Sequence, residues 1–450
     1  MRRNSIAAAV VTAAVTLAAG EARAQYWLSD RTLSEGRGIR VGNFELHPGL
    51  GSEFGYDSNA FYAGGLTPVD PALRLRVTGN FAISTLGARR RQMPGDEAPA
   101  APPVQFRANL GASYSHFFAV APPTVRAVSD ASNLGLNAGL SVNVASSRTW
   151  SFSFSNDFAR AVQGTSELNF GQLFVFNRWQ NVAQLGFTVT PGGGSFEFKG
   201  SYINRLYIFF EPGFEGYSNM GNDVSLAMRW RFLPKTAFAW TGTFSPTFYF
   251  NSSSIGSGLF TGLPITTRFG LTGLFTDRLS FQIFGGYGAT YFDRGDNVET
   301  FIGNAEIRYL TGPSMSIRGG ILRDFGGSFI GNYLIRNNLY FNVSHSFAGR
   351  FLLSAEAQAG LIQIGYPTDR TGARSSFLTG TAIGADGRIT GFRALAMVFG
   401  EYRFTDYLGL NGTLSYTGNF IDAQLLSMGM PGGSLNWNKF EAFLGLRVNW

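Results

Sequence analysis

Cysteine is absent from this 450-residue chain. That excludes a disulfide scaffold, a Cys-ligated zinc or iron–sulfur site and a lipid-anchored N-terminal Cys. Charge is sparse, at 14% of residues, yet aromatics reach 15%, which excludes a disordered chain. Histidine is scarce too. His47, His116 and His345 are the whole supply, and none has metal-ligand spacing or a Ser/Asp arrangement beside it. No Gly-x-Ser-x-Gly elbow, phosphate loop or His-Glu-x-x-His occurs. The sequence therefore offers no catalytic, cofactor-binding or metal residues, and we expect no enzyme. The 36 basic side chains outnumber the 29 acidic ones, but they are spread along the chain with no nucleic-acid module, so nucleic acid is not the expected partner.

Long apolar runs are also missing. Arg2 and Arg3 precede a short apolar stretch, Ile6 to Ala19, and then Ala22-Arg23-Ala24. A basic start, a short apolar core and small residues at the cut describe a secretory signal peptide over residues 1–24, cleaved before Gln25. A spanning helix needs about 18 or more apolar residues. No later stretch supplies one.

What is present is a period of two. In the last segment Phe440, Ala442, Leu444, Leu446, Val448 and Trp450 share one parity, while Lys439, Glu441, Gly445, Arg447 and Asn449 share the other. Leu73, Leu75, Val77, Phe81 and Ile83 likewise oppose Arg74, Arg76, Thr78, Asn80 and Ser84. Segments of about ten alternating residues, separated by turns, mark a barrel in lipid, because a sheet there must close on itself to pair its backbone. The expected fold is an all-β, transmembrane, antiparallel up-and-down β-barrel over residues 43–450, following a short periplasmic segment, 25–42. Counting segments gives about 18 strands, and the pattern also allows 16 or 20. An even count puts both termini in the periplasm. The location is the outer membrane of a Gram-negative bacterium, with its lipid and the barrel-insertion machinery as partners.

Connections alternate between short and long, as periplasmic turns and outer loops do. Residues 87–103 break the rule, with Arg89-Arg90-Arg91 and four prolines on the short-turn side. Such a segment is a docking element or a flexible linker. Aromatics flank the short turns (Trp150, Phe232, Tyr309, Phe347, Phe404 and Tyr407 among them), where an interfacial girdle belongs.

Assigning the polar parity to the inside gives a wet, mildly cationic lumen. Its basic side chains include Arg74, Arg76, Arg229, Arg231, Arg308, Arg336, Arg403 and Arg447, and its acidic ones Glu306, Glu356, Glu401 and Glu441. They either prefer anionic cargo or pair across strands and stiffen the wall. Phe284, Phe292, Phe399 and Phe443 share the inner parity, as stacking rungs or as space-filling groups. Asp369, Arg370 and Arg374, in the longest outer loop, form a candidate constriction.

One stretch resembles a known family. Gly38-Ile39-Arg40-Val41-Gly42-Asn43-Phe44-Glu45-Leu46-His47-Pro48, then Gly55-Tyr56-Asp57-Ser58-Asn59-Ala60-Phe61, is similar to the opening of the second β-barrel porin family of outer-membrane proteins. Tyr56, Asp57 and Asn59 are the positions that transfer, and a local turn is their simplest role. Trp450 resembles the C-terminal aromatic read during barrel insertion, where Phe is commoner. Family members in bacteria such as myxobacteria resemble exopolysaccharide exporters. The resemblance thus implies a polysaccharide export channel working with a periplasmic polysaccharide-export protein. The alternative is a general or anion-preferring diffusion porin. Oligomeric state is open.

Overall fold

The computed structural model describes residues 38–64, 68–85, 103–122, 127–145, 149–161, 178–191, 194–210, 216, 218–250, 261–293, 296–312, 314–328, 332–365, 378–379, 384, 388–425 and 435–450. The signal segment, nearly all of 87–103, and Asp369, Arg370 and Arg374 lie outside these residues.

Eighteen strands close into one antiparallel barrel. They are Phe44–Asp57, Ala72–Thr85, Val104–Ala119, Asn133–Val144, Trp150–Ala161, Arg178–Val189, Phe196–Phe209, Asn219–Leu233, Thr236–Phe244 with its continuation Thr247–Tyr249, Gly262–Leu274, Leu279–Phe292, Val298–Leu310, Met315–Gly326, Leu334–Phe347, Phe351–Ile364, Ile389–Arg403, Leu408–Phe420 and Trp437–Asn449. Each pairs with its neighbours in sequence. The ring closes where the first strand meets the last, from Gly49–Asn449 to Asp57–Glu441. Upstream, Ile39–Val41 turns at Gly42 and pairs back on Phe44–Leu46, so the sheet begins before the ring does. Proline interrupts the ninth strand at Ser245-Pro246, where it removes a ladder donor.

The two faces differ as alternation requires. On the outer face Leu50 is 63% exposed, Leu110 62%, Phe301 63% and Leu339 60%. On the inner face Asp57 is fully buried and Glu401 1% exposed. Carbon outside and charge inside is stable only when hydrocarbon covers the outside, and this is what makes the barrel a transmembrane one. Trp150, Phe232, Tyr309, Phe347, Phe404, Tyr407 and Trp450 are exposed around the short-turn end, and Tyr114, Phe118, Trp179, Phe248, Tyr291 and Phe420 around the other. Two aromatic belts result, at the heights where rings meet headgroups.

The short turns bring strand ends together by local chemistry. Thr405 Oγ1 accepts the Tyr407 and Leu408 amides, and Thr276 Oγ1 accepts those of Arg278 and Leu279. Lys235 Nζ sits 2.9 Å from Asp277 Oδ1, and this bond holds the Asp277 carboxyl below its usual range. At Phe347–Arg350 the central residues Ala348 and Gly349 both have positive φ, 49° and 69°. A hairpin turn of this hand suits Asn-Gly, and an alanine there carries Cβ strain of about 1–2 kcal/mol. Ala348→Asn should therefore stabilise the barrel by about 1 kcal/mol, read as a higher urea midpoint for unfolding from lipid vesicles. An unchanged or lower midpoint would show that the turn carries no such strain.

Candidate functional site

A closed barrel offers one continuous internal surface, and its chemistry is set by which inner side chains the register makes neighbours. Charge concentrates beside the closing seam. Lys439 Nζ lies 2.8 Å from Asp57 Oδ2 and 3.6 Å from Glu441 Oε1. Arg74 reaches Glu441 at 3.2 Å and Asp57 at 3.7 Å, and Arg76 reaches Glu53 at 2.8 Å. The Arg74 guanidinium also stacks 4.3 Å above the Phe443 ring, which its neighbour Arg76 approaches to 5.7 Å. Phe443 is thus used as a cation platform within the wall.

The Tyr56-Asp57-Ser58-Asn59 stretch is a turn with a second task. Asp57 Oδ1 accepts the Asn59 amide at 3.0 Å, the local bond expected of Asp in a turn. Asn59 Nδ2 then donates to Ala63 O at 2.7 Å and to Asn438 O on the last strand at 2.9 Å, while its Oδ1 accepts the Ala63 amide. Phe61 is buried with Ala60, Ala63, Ala72, Phe117, Val128 and Ala131. Tyr62, at φ +55°, sets its ring edge-on to Trp437 and 4.1 Å from Lys439 Nζ. Burial pushes the Tyr62 phenol up, so it stays protonated. Tyr56 itself points outward into the exposed belt.

Further round, the pairs continue. Arg205 meets Asp223 at 2.7 Å and Lys199 meets Glu197 at 3.1 Å. Asp324 bridges Arg268 and Arg336, both at 2.9 Å. Glu306 accepts the Tyr340 hydroxyl at 2.5 Å and lies 3.9 Å from Arg318. Glu401 sits between Arg403, at 2.9 Å, and Arg447. Glu356 is buried and accepts a hydrogen bond from Gln358, with no ion pair among the described residues. Arg229 faces Glu197 in register, beyond ion-pair distance. Arg231 and Arg308, near the short-turn end, are exposed and have no carboxylate within 4.0 Å among the described residues. Most of the inner charge is therefore neutralised within the wall, and these two guanidiniums are left open.

Parity could not reveal the uncharged groups that matter beside them. Asn449 pairs with Gly49, Gly49 with Asn80, Asn80 with Gly111 and Gly111 with Asn137. Amide and glycine thus alternate straight across five neighbouring strands. A second pair, Asn109–Gly139, lies one step away. A Cβ at Gly49 would come within 2.5 Å of Asn449 Oδ1 and 2.6 Å of Asn80 Oδ1, so each amide lies over a glycine that leaves it room. The side chains of Asn80, Asn109 and Asn137 have no hydrogen-bond partner among the described residues, and all three are half-buried.

No protein-family model matches the chain, and no curated protein sequence matches it significantly. Solved structures share the fold at very low identity. One is the outer membrane protein OpdK from Pseudomonas aeruginosa, at 8% identity over 90% of this chain and 99% of that one, with a TM-score of 0.41. Another is OccAB2 from Acinetobacter baumannii, at 9% identity over 91% and 98%, with a TM-score of 0.45. A third is described as a bacterial polysaccharide outer membrane secretin, at 8% identity over 91% and 100%, with a TM-score of 0.36. These likenesses concern the fold alone.

Proposed function

We propose that this chain is an outer-membrane channel through which a surface polysaccharide leaves the cell, a member of the second β-barrel porin family. The observation that carries the reading is the division of labour on the inner wall. Most charges are satisfied by one another, while amides such as Asn80, Asn109 and Asn137 keep donors and acceptors open. A hydroxyl-rich chain exchanges water for such groups at little cost, and few fixed charges are left to grip it. The chain enters from the periplasm, handed over by a polysaccharide-export protein that docks at the short-turn end, with residues 87–103 as the contact. Export requires residues 1–24 as a cleaved signal, and insertion reads Trp450. Deleting the gene should abolish surface polysaccharide, measured by dye binding and sugar analysis, and restoring it should bring the polymer back. Normal polysaccharide in the deletion strain would end this reading.

The second reading is an anion-preferring diffusion porin, with Asp369, Arg370 and Arg374 at its constriction. Arg231 and Arg308 favour it, as open guanidiniums near the short-turn end. In planar bilayers, Arg231→Gln with Arg308→Gln should then lower the anion-to-cation permeability ratio. A reversal potential that does not move would remove these residues from selectivity.

A further inference from the structure

We propose that the first outer loop is a constriction of this channel: residues 58–64 fold into the outer mouth, are fastened across the closing seam, and limit the size of what passes. The inference goes beyond the export reading and holds for either cargo.

The loop lies on the inner side of the wall. Ala72 and Phe117 share the parity of the inner residues Arg74 and Ser115, and they stand near the outer ends of their strands. Apolar groups facing an open mouth would be wet, yet both are buried, while Phe118, one residue on and facing outward, is exposed. Phe61 covers them, in one apolar cluster with Ala60, Ala63 and the short helical turn Val128–Ala131 of the second outer loop. Two outer loops therefore fill the seam side of the mouth together. Trp437, which shares the parity of Lys439, is buried in the same way under the Tyr62 ring.

The loop leaves the first strand and is fastened to the last. Ser58 extends the seam, its amide donating to Phe440 O at 2.9 Å and its Oγ accepting the Phe440 amide at 2.8 Å. Asn59 is a hook with no solvent exposure, and its side chain makes three hydrogen bonds, to Asn438 O, to Ala63 O and from the Ala63 amide. Gly64 lies so close to the last strand that a Cβ there would overlap the Asn436 carbonyl oxygen. Tyr62 is held at φ +55°, a backbone conformation that a bulky side chain keeps only where its surroundings over-determine it. The short turns at the other end need far less, a single Thr oxygen at Thr405 and at Thr276. The alternation Asp57-x-Asn59-x-Phe61 thus has one physical sense. Asp57 holds Lys439 in the wall, Asn59 hooks the last strand, and Phe61 wedges the loop against the inner face.

The test uses the full-length protein in two readouts. In planar bilayers, Asn59→Ala and Phe61→Ala should each raise the single-channel conductance and admit polyethylene glycols that the natural protein excludes. Because the chain has no cysteine, Ala60→Cys places a single thiol inside the buried cluster. A hydrophilic maleimide should label it slowly, and adding Asn59→Ala, which removes three hydrogen bonds, should speed labelling at least about tenfold. Assembly is checked by heat-modifiable migration, and Phe61→Ala carries the test if Asn59→Ala fails to assemble. Gly312→Ala, at a short turn on the opposite end, should change neither readout. Faster labelling with an unchanged conductance and polymer cut-off would make the loop a seam staple alone and overturn the constriction. Equal labelling with and without Asn59→Ala would show that the hook does not hold the loop in the mouth. Absence of conductance in the natural protein and in both variants would put the closure elsewhere, and so overturn it as well.

Discussion

Lys439→Met is expected to destabilise the barrel by about 3–5 kcal/mol, the cost of breaking a buried ion pair by removing one partner. Its ammonium lies against the Asp57 and Glu441 carboxylates, and the Asp57 side chain has no solvent exposure. Without it, Arg74 is the one cation within 4.0 Å of both carboxylates among the described residues, and one of them has no water to fall back on. The measurement is the urea midpoint for unfolding from lipid vesicles. Adding Asp57→Asn to Lys439→Met should recover a large part of the loss, because it removes the stranded charge. A double-mutant cycle with no coupling would show that the pair is not an energetic unit. The defect should also resist salt, since the cluster is shielded from bulk ions.

Gly55→Val should prevent assembly. Gly55 faces Phe443 across the closing seam, and a side chain there would overlap the Ala442 carbonyl oxygen and the Phe443 ring. The backbone oxygen cannot move without breaking the ladder that shuts the ring, and Phe443 is held by Arg74 above it. Overpacking of this kind leaves no cheap relaxation. The amount of heat-modifiable protein in the outer membrane should fall at least about tenfold, a change that needs only some 1.4 kcal/mol in the assembly equilibrium. Gly312→Ala, at a short turn with open space around it, is the matched control and should assemble normally. Equal assembly of the two variants would show that the seam tolerates width at this height.

Strand number, direction and facing were legible because they follow from a period of two, which each strand carries in its own residues. Leu444 outside and Glu441 inside need no knowledge of any other strand. The turn at Asp57-Ser58-Asn59 was legible for the same reason, as its bond spans two residues. What one strand's residues cannot express is its stagger against the next. That Lys439 would face Asp57, or that Asn80 would sit between Gly49 and Gly111, depends on the shear of the closed ring. Parity therefore identified Arg74 and Glu441 as inner residues, and only the register made them a pair. The amides escaped notice because a single Asn among charged neighbours carries no signal until its glycine is found.

The direction of the amide row has a consequence for motion. The row runs perpendicular to the strands, and strands in closed barrels lean by about 35–45° from the axis. Amides in it recur every second strand, about 9.6 Å apart. A line of holds laid this way climbs the wall as a helical thread rather than a vertical ladder. A ligand that met these amides in turn would therefore follow an oblique arc across five strands rather than a line parallel to the barrel axis.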